Sequence, residues 1–269
     1  MSIDFCIIGA QKSGTTTIAR VLEAQPGVFL APVKEVHFFD RHFDRGLTWY
    51  ERQFAKAPSG AIVGEATPMY LFEPEVAARM ASVMPDARLV AILRNPVDRA
   101  YSHYWHTRSR GDEPLELREA IAAEPERLRS DDVGVRGRYS YVGKGRYAAQ
   151  LQRFVDHFPR EQLLVLLFDD LVREPETLLA QVCAHIGAGP LQLDGVATRQ
   201  VGRHKRAPRI VRRVAGLMPT LSLRRRVRGL GSRATGYPPL DADDRALLNE
   251  LLAPEVRALE AWLGRDLPW

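Results

Sequence analysis

The sequence predicts an α/β protein in three layers, with a central parallel β-sheet covered by helices on both faces. Short apolar runs such as residues 3–8 and 88–93 are continuous rather than alternating, as strands buried on both faces require. Each run is followed by a segment with helical spacing, set off by Gly or Pro, and this order points to parallel strands joined by crossover helices. The 269 residues are 45% hydrophobic and 26% charged, enough to build a sizeable core and unlike a disordered chain.

The first strand is expected over residues 3–8, β-branched and stopped by Gly9, with a helix over 15–24 ended by Pro26 and Gly27. A second strand falls over 28–31, before Pro32, and a third over 61–64. A helix over 74–84 leads to the strongest strand, 88–93, and a helix over 96–108 follows with Pro96 in its first turn, where a missing N–H costs little. Residues 145–158 form an amphipathic helix, 163–168 a strand and 174–186 another helix. Residues 241–263 are expected as one or two helices broken near Pro254. Ligands of such sheets bind beyond the carboxyl ends of the strands, so the loops after Ile8, Ala31, Val63 and Leu93 are where chemistry is sought.

Charge is unevenly placed. Residues 195–240 hold twelve Lys or Arg and no Asp or Glu, leaving 26 basic against 33 acidic residues elsewhere. Residues 199–236 therefore read as a basic insertion or lid on a single domain spanning 1–269. The stretch lacks the interleaved aromatics of single-strand binders, so an anionic small molecule or acceptor fits at least as well as nucleic acid. No apolar run approaches the ~20 residues of a membrane-spanning helix, and the first residues lack the basic start of a signal peptide. With Cys6 and Cys183 as the only cysteines, a disulfide framework and a thiolate metal site are excluded, and a reducing, cytoplasmic setting is expected.

The most informative stretch is Gly9-Ala10-Gln11-Lys12-Ser13-Gly14-Thr15-Thr16. A strand ends, Gly turns the chain, and a Lys and hydroxyls open a helix. Amides at a helix N-terminus cradle phosphate oxygens, and Lys12 adds a mobile positive charge. The stretch is P-loop-like but departs from the Walker A form, because Lys12 precedes Gly14 rather than following a Gly. The order Lys-Ser-Gly-Thr-Thr after an apolar strand resembles the sulfotransferases that use 3′-phosphoadenosine 5′-phosphosulfate (PAPS), in the branch that includes the heparan sulfate sulfotransferases and many bacterial relatives. The resemblance implies that Lys12, Ser13, Gly14, Thr15 and Thr16 hold the donor's 5′-phosphate, with Lys12 also at the bridging oxygen.

Two further segments carry the likeness. In Arg94-Asn95-Pro96-Val97-Asp98-Arg99-Ala100-Tyr101-Ser102, the matching Arg94 and Ser102 imply a grip on the 3′-phosphate. A guanidinium fork and a hydroxyl suit a phosphate dianion; the alternative for Arg94 is an ion pair with Asp98. The run Glu35-Val36-His37-Phe38-Phe39-Asp40 is similar to the family's Glu-x-His-Phe-Phe-Asp, which implies Glu35 as catalytic base. Lys34 or Lys12 nearby would keep Glu35 charged, and His37 orients the acceptor or shares the proton, while Phe38 and Phe39 read as core. The implied reaction is in-line sulfuryl transfer from PAPS to an acceptor hydroxyl or amine, with adenosine 3′,5′-bisphosphate (PAP) as product and no metal required.

The match has departures. Ala66 stands where polysaccharide-modifying members carry Lys in Glu-Lys-Ser/Thr-x-x-Tyr, and Lys34 is a candidate substitute. The loop that closes their donor site has only Arg233, with Gly236 ahead of Pro238, as its nearest counterpart. Tyr147 is placed where members line the cleft. Two other readings stand: a nucleotide kinase or NTPase using Asp169 at the end of 163–168 for magnesium, and a non-enzymatic binder of polyanions through residues 199–233.

Overall fold

The computed structural model describes residues 2–193, 204–206, 233–235 and 237–269. The chain divides into two compact units, one made of Met1–Pro96, Arg146–Arg199 and Pro254–Trp269, the other of Val97–Gly145 and Gln200–Ala253. The first unit holds five parallel strands, β1 (Phe5–Gly9), β2 (Val28–Leu30), β3 (Ile62–Ala66), β4 (Arg88–Leu93) and β5 (Leu163–Leu167), in the order β2-β3-β1-β4-β5. β1 is central and wholly buried. Its apolar run alternates between two cores, as strand geometry demands. Phe5 and Ile7 pack with Ile18, Val21 and Leu22 of α1 (Thr15–Glu23), while Cys6 and Ile8 join the opposite cluster with Phe38, Tyr50 and Met80.

Helices α2 (Phe38–Arg41), α3 (Leu47–Arg52) and α4 (Val76–Val83) follow β2 and β3. α5 (Pro96–Arg110) follows β4. The second unit is helical, with α6 (Leu117–Ala122), α7 (Glu124–Arg127) and α8 (Val133–Tyr139). Its core joins Tyr101 and Tyr104 of α5 to Leu117, Ala120 and Tyr141. Arg99 is buried and donates to the Tyr141 carbonyl, and Glu124 accepts the amides of Val142 and Gly143 at 2.8 and 2.7 Å. α9 (Tyr147–Val155), α10 (Phe168–Arg173) and α11 (Pro175–His185) complete the cover of the sheet. Two short strands, β6 (His204–Arg206) and β7 (Arg233–Thr235), pair antiparallel. The rest of the expected basic insertion lies outside the described residues.

Helix α12 (Ala242–Leu263) corrects the expected break, since it runs unbroken with Pro254 inside. An interior Pro costs about 3 kcal/mol, but the helix is anchored before it by buried Leu248 and Leu252 and after it by buried Leu259. The helices over 38–52 and 117–139 were absent from the expected elements; most are four to seven residues long, too short for a helical period to register.

Gly64 pairs with Phe5 across β3 and β1, and the Phe5 ring occupies the space a Gly64 Cβ would take, 2.5 Å from its position. Gly64→Ala should therefore cost about 1–3 kcal/mol through overpacking. Urea unfolding checks this, and an unchanged midpoint would contradict it.

Candidate active site

β1 has β3 on one side and β4 on the other, so connections diverge from its carboxyl end and leave a crevice there. Three loops gather around that end. The first turns from Gly9 into α1. Its Ala10 amide donates to the Ile92 carbonyl at 2.8 Å, tying it to β4. Lys12 takes φ +75°, and Gly14, at φ +97°, starts the helix without a side-chain cap. The first amides of α1 have no intrahelical acceptor by geometry. Ser13 is fully buried, and its Oγ has no hydrogen-bond partner. A buried hydroxyl left this way is costly unless a ligand completes it. Gly14 leaves no room for a side chain, because a Cβ would sit 2.9 Å from Leu171 Cδ2.

Arg94, just past β4, turns back onto this loop. Its Nη1 donates to the Lys12 carbonyl at 3.4 Å, and its guanidinium lies 5.0 Å over the Phe168 ring. The backbone carbonyl of Arg94 accepts the Tyr147 hydroxyl at 2.9 Å. Asp98, the alternative partner expected for Arg94, pairs with Arg245 at 3.0 Å in the second unit. Ser102 is buried on α5, also in the second unit. Arg233 lies in β7, opposite Arg206, and its side chain falls outside what the structure describes.

The loop after β2 carries the other two candidates. Glu35 and His37 take φ +58° and +56°, so among the described residues the three non-glycines on left-handed backbone are Lys12, Glu35 and His37. That conformation costs an L residue about 1–2 kcal/mol, and such outliers cluster at functional sites. His37 stands between two carboxylates. Its Nδ1 donates to Asp40 Oδ2 at 2.8 Å, and its Nε2 is 3.4 Å from Glu35 Oε2. The Asp40 side chain is fully buried, and an ionised carboxylate there accepts from Nδ1, which leaves Nε2 to face Glu35. Burial disfavours the charged ring, yet the hydrogen bonds to Asp40 and Glu35 outweigh it, and the His37 pKa stands above its ordinary value. Lys34 Nζ lies 3.9 Å from Glu35 Oε1 but is largely exposed. Phe38 and Phe39 are core residues, as expected. A cavity of about 160 Å³ opens beside Glu35, lined among others by Arg20, Val33, Lys34, Ala66 and Pro68.

The family description "Sulfotransferase domain" matches residues 2–201. The chain belongs to the sulfotransferase family. It is 31% identical over 98% of its length to human bifunctional heparan sulfate N-deacetylase/N-sulfotransferase 3, covering 30% of that protein. It is 32% identical over 67% of its length to human heparan sulfate glucosamine 3-O-sulfotransferase 3B1, covering 45% of that protein. The chain thus spans less than half of these curated relatives. A crystal structure of a sulfotransferase from Alicyclobacillus acidocaldarius matches at TM-score 0.73 and 33% identity, over 99% of this chain and 98% of that one. A mouse sulfotransferase complexed with PAP shares the fold at TM-score 0.54 and 15% identity, over 97% of this chain and 87% of that one. The P-loop-like α/β fold is the fold of these sulfotransferases.

The Asp169 carboxylate, offered to magnesium by the kinase reading, accepts Trp269 Nε1 at 2.9 Å. Among the described residues no group of three or more His, Cys, Asp or Glu is placed to hold a metal, and no helix is long and apolar enough to cross a membrane.

Sequence reasoning missed the buried carboxylate behind the Glu35 loop. Glu65, on β3, accepts Tyr50 Oη at 2.8 Å and Tyr70 Oη at 3.1 Å on Oε1, and Thr67 Oγ1 at 2.7 Å on Oε2. It is wholly buried, and desolvation pushes its pKa up to about 6 despite those three donors. The only sequence signal was the Glu-x-Thr-x-x-Tyr spacing. Asp40 was visible in its motif but was given no role.

Because the folded Glu65 binds its proton more tightly than the unfolded one, its contribution to stability is complete below about pH 4.5. It is lost as pH rises through about 6, a change of about 2 kcal/mol. Glu65→Gln should flatten the difference in urea midpoint across that window. An identical pH dependence in variant and wild type would contradict the assignment.

Proposed function

We propose that this chain acts as one sulfotransferase domain, moving a sulfuryl group from PAPS to an acceptor hydroxyl, with Glu35 as the base. One observation carries this reading most directly. The three residues whose motifs match the chemistry, Lys12, Glu35 and His37, are also the non-glycine residues that the described fold holds on unfavourable left-handed backbone. The donor loop fits its ligand by two further features, the partnerless buried Oγ of Ser13 and the uncapped start of α1.

When bound, PAPS supplies an electrophilic sulfuryl group and a bisphosphate leaving group. Glu35 accepts the acceptor's proton as its oxygen becomes nucleophilic. His37, fixed by Asp40, spreads that change of charge between two carboxylates and keeps Glu35 aimed. Lys12, Ser13, Gly14, Thr15 and Thr16 hold the 5′-phosphate, and the Lys12 ammonium meets the negative charge that grows there as the bond to sulfur breaks. Arg94, stacked on Phe168, serves the 3′-phosphate; Ser102 and Arg233 are assigned to that phosphate by the sequence resemblance alone.

The acceptor is a hydroxyl-bearing saccharide, glycolipid or secondary metabolite, received in the cavity beside Glu35. The curated relatives are named for heparan sulfate, yet Ala66 lines this cavity where polysaccharide-modifying members carry Lys. A smaller acceptor suits that difference. Both cysteines are free and buried, which suits a cytoplasmic setting.

A transfer screen with PAPS against hydroxylated acceptors, read by mass spectrometry as an added sulfonate, tests the reading. Glu35→Gln should lower turnover by about 10²–10⁴ with PAP affinity retained. Lys12→Ala should lower it by about 10²–10³ and weaken PAP as well. Near-wild-type turnover in either variant removes that residue from its role.

A further inference from the structure

Glu65 is buried beneath the Glu35–His37 loop and is not part of the reaction just described, although its role below rests on that reading of the loop. As an ionised carboxylate it can only accept hydrogen bonds. It therefore commits the single hydrogen of each of three hydroxyls, those of Tyr50, Thr67 and Tyr70. Two of these hydroxyls then present lone pairs outward. Tyr70 Oη accepts the Phe38 amide at 2.9 Å, and Thr67 Oγ1 accepts the His37 amide at 3.5 Å. The two amides open α2, directly behind the strained residues Glu35 and His37.

The same segment is bonded to the central strand. The Thr67 amide donates to the Ile7 carbonyl at 3.1 Å, and the Leu71 amide to the Ile8 carbonyl at 2.9 Å. The donor loop leaves that strand one residue later, after Gly9. A chain of hydrogen bonds thus refers both loops to the carboxyl end of β1.

We propose that Glu65 is a positioning residue, which by orienting the Tyr70 and Thr67 hydroxyls fixes the Glu35–His37 loop against the strand that carries the donor loop. Polar networks of this kind fix geometry when every member is satisfied and lose it when one is removed.

Tyr50 provides the control. Tyr50 and Tyr70 are both fully buried and both donate to the same oxygen of Glu65. Of the two, Tyr70 is the one that bonds the loop's amides. The experiment compares Tyr70→Phe with Tyr50→Phe, each losing one hydroxyl in a conserved shape. The first readout is the His37 ring titration by NMR, assigned with a His37→Asn spectrum; Glu35, Asp40 and Arg41 are charged groups acting on that ring, and His42 is a titratable neighbour. The second is turnover of PAPS with an acceptor from the screen, alongside PAP affinity by calorimetry.

Tyr70→Phe should move the His37 pKa toward its ordinary value and lower kcat by about fivefold or more, with PAP affinity within about twofold. Tyr50→Phe should do neither. Equal effects of the two substitutions, or no movement of His37 in Tyr70→Phe, would overturn the proposal. Should Tyr70→Phe not fold, Thr67→Val against Thr67→Ser repeats the comparison, because Ser keeps the hydroxyl and Val loses it. Failure of the wild type to bind PAP would instead strike the donor assignment, and the NMR comparison would still decide the positioning role.

Discussion

Left-handed backbone at a residue with a Cβ is unfavourable, and this fold holds it at Lys12, Glu35 and His37. Each must be over-determined by its surroundings. For Lys12 the surroundings are the Arg94 guanidinium on its carbonyl, the Ala10 amide bonded to Ile92, and the close seat of Gly14 against Leu171. For Glu35 and His37 they are the Asp40 carboxylate, the amides held by Thr67 and Tyr70, and the aromatic packing of Phe38 on Tyr50, whose rings stack 4.4 Å apart. The strain is local, and the contacts that sustain it reach into the core of the first unit.

The sheet explains why such different segments meet. Placing β1 between β3 and β4 brings the loop that follows it beside Arg94 at the end of β4, while Thr67, just past β3, bonds Ile7 of β1 itself. Positive charge then gathers at Lys12, Arg94 and the start of α1, where the proposed reading puts the phosphates, while Glu35 and Asp40 flank a ring that can carry a proton between them. That separation of a cationic loop from an acidic one suits the proposed transfer of a group from a phosphate to a hydroxyl.

Much of this was legible in the chain. The continuous apolar runs at 3–8 and 88–93, stopped by Gly9 and by Arg94-Asn95-Pro96, revealed both strands and the loops that matter. Lys12 stood out as a charge opening a helix after a strand, and Glu35 and His37 through the family resemblance of their motif. What stayed hidden depended on contacts distant in sequence. Glu65 is only the first residue of a Glu-x-Thr-x-x-Tyr spacing until Tyr50, fifteen residues earlier, is seen to donate to it. The short helices between residues 38 and 52 show too few turns for a pattern. Pro254 signals a break that burial of Leu252 and Leu259 on either side overrides.

The central claim is that the loop opening α1 receives the sulfated end of a nucleotide phosphorylated at both ends of its ribose. A crystal structure of the chain soaked with PAP tests it most directly. The 5′-phosphate is expected on the amides of residues 12–16, with Ser13 Oγ bonded to it and the 3′-phosphate toward Arg94. A nucleotide bound elsewhere, or seated with its two phosphates exchanged, would contradict it.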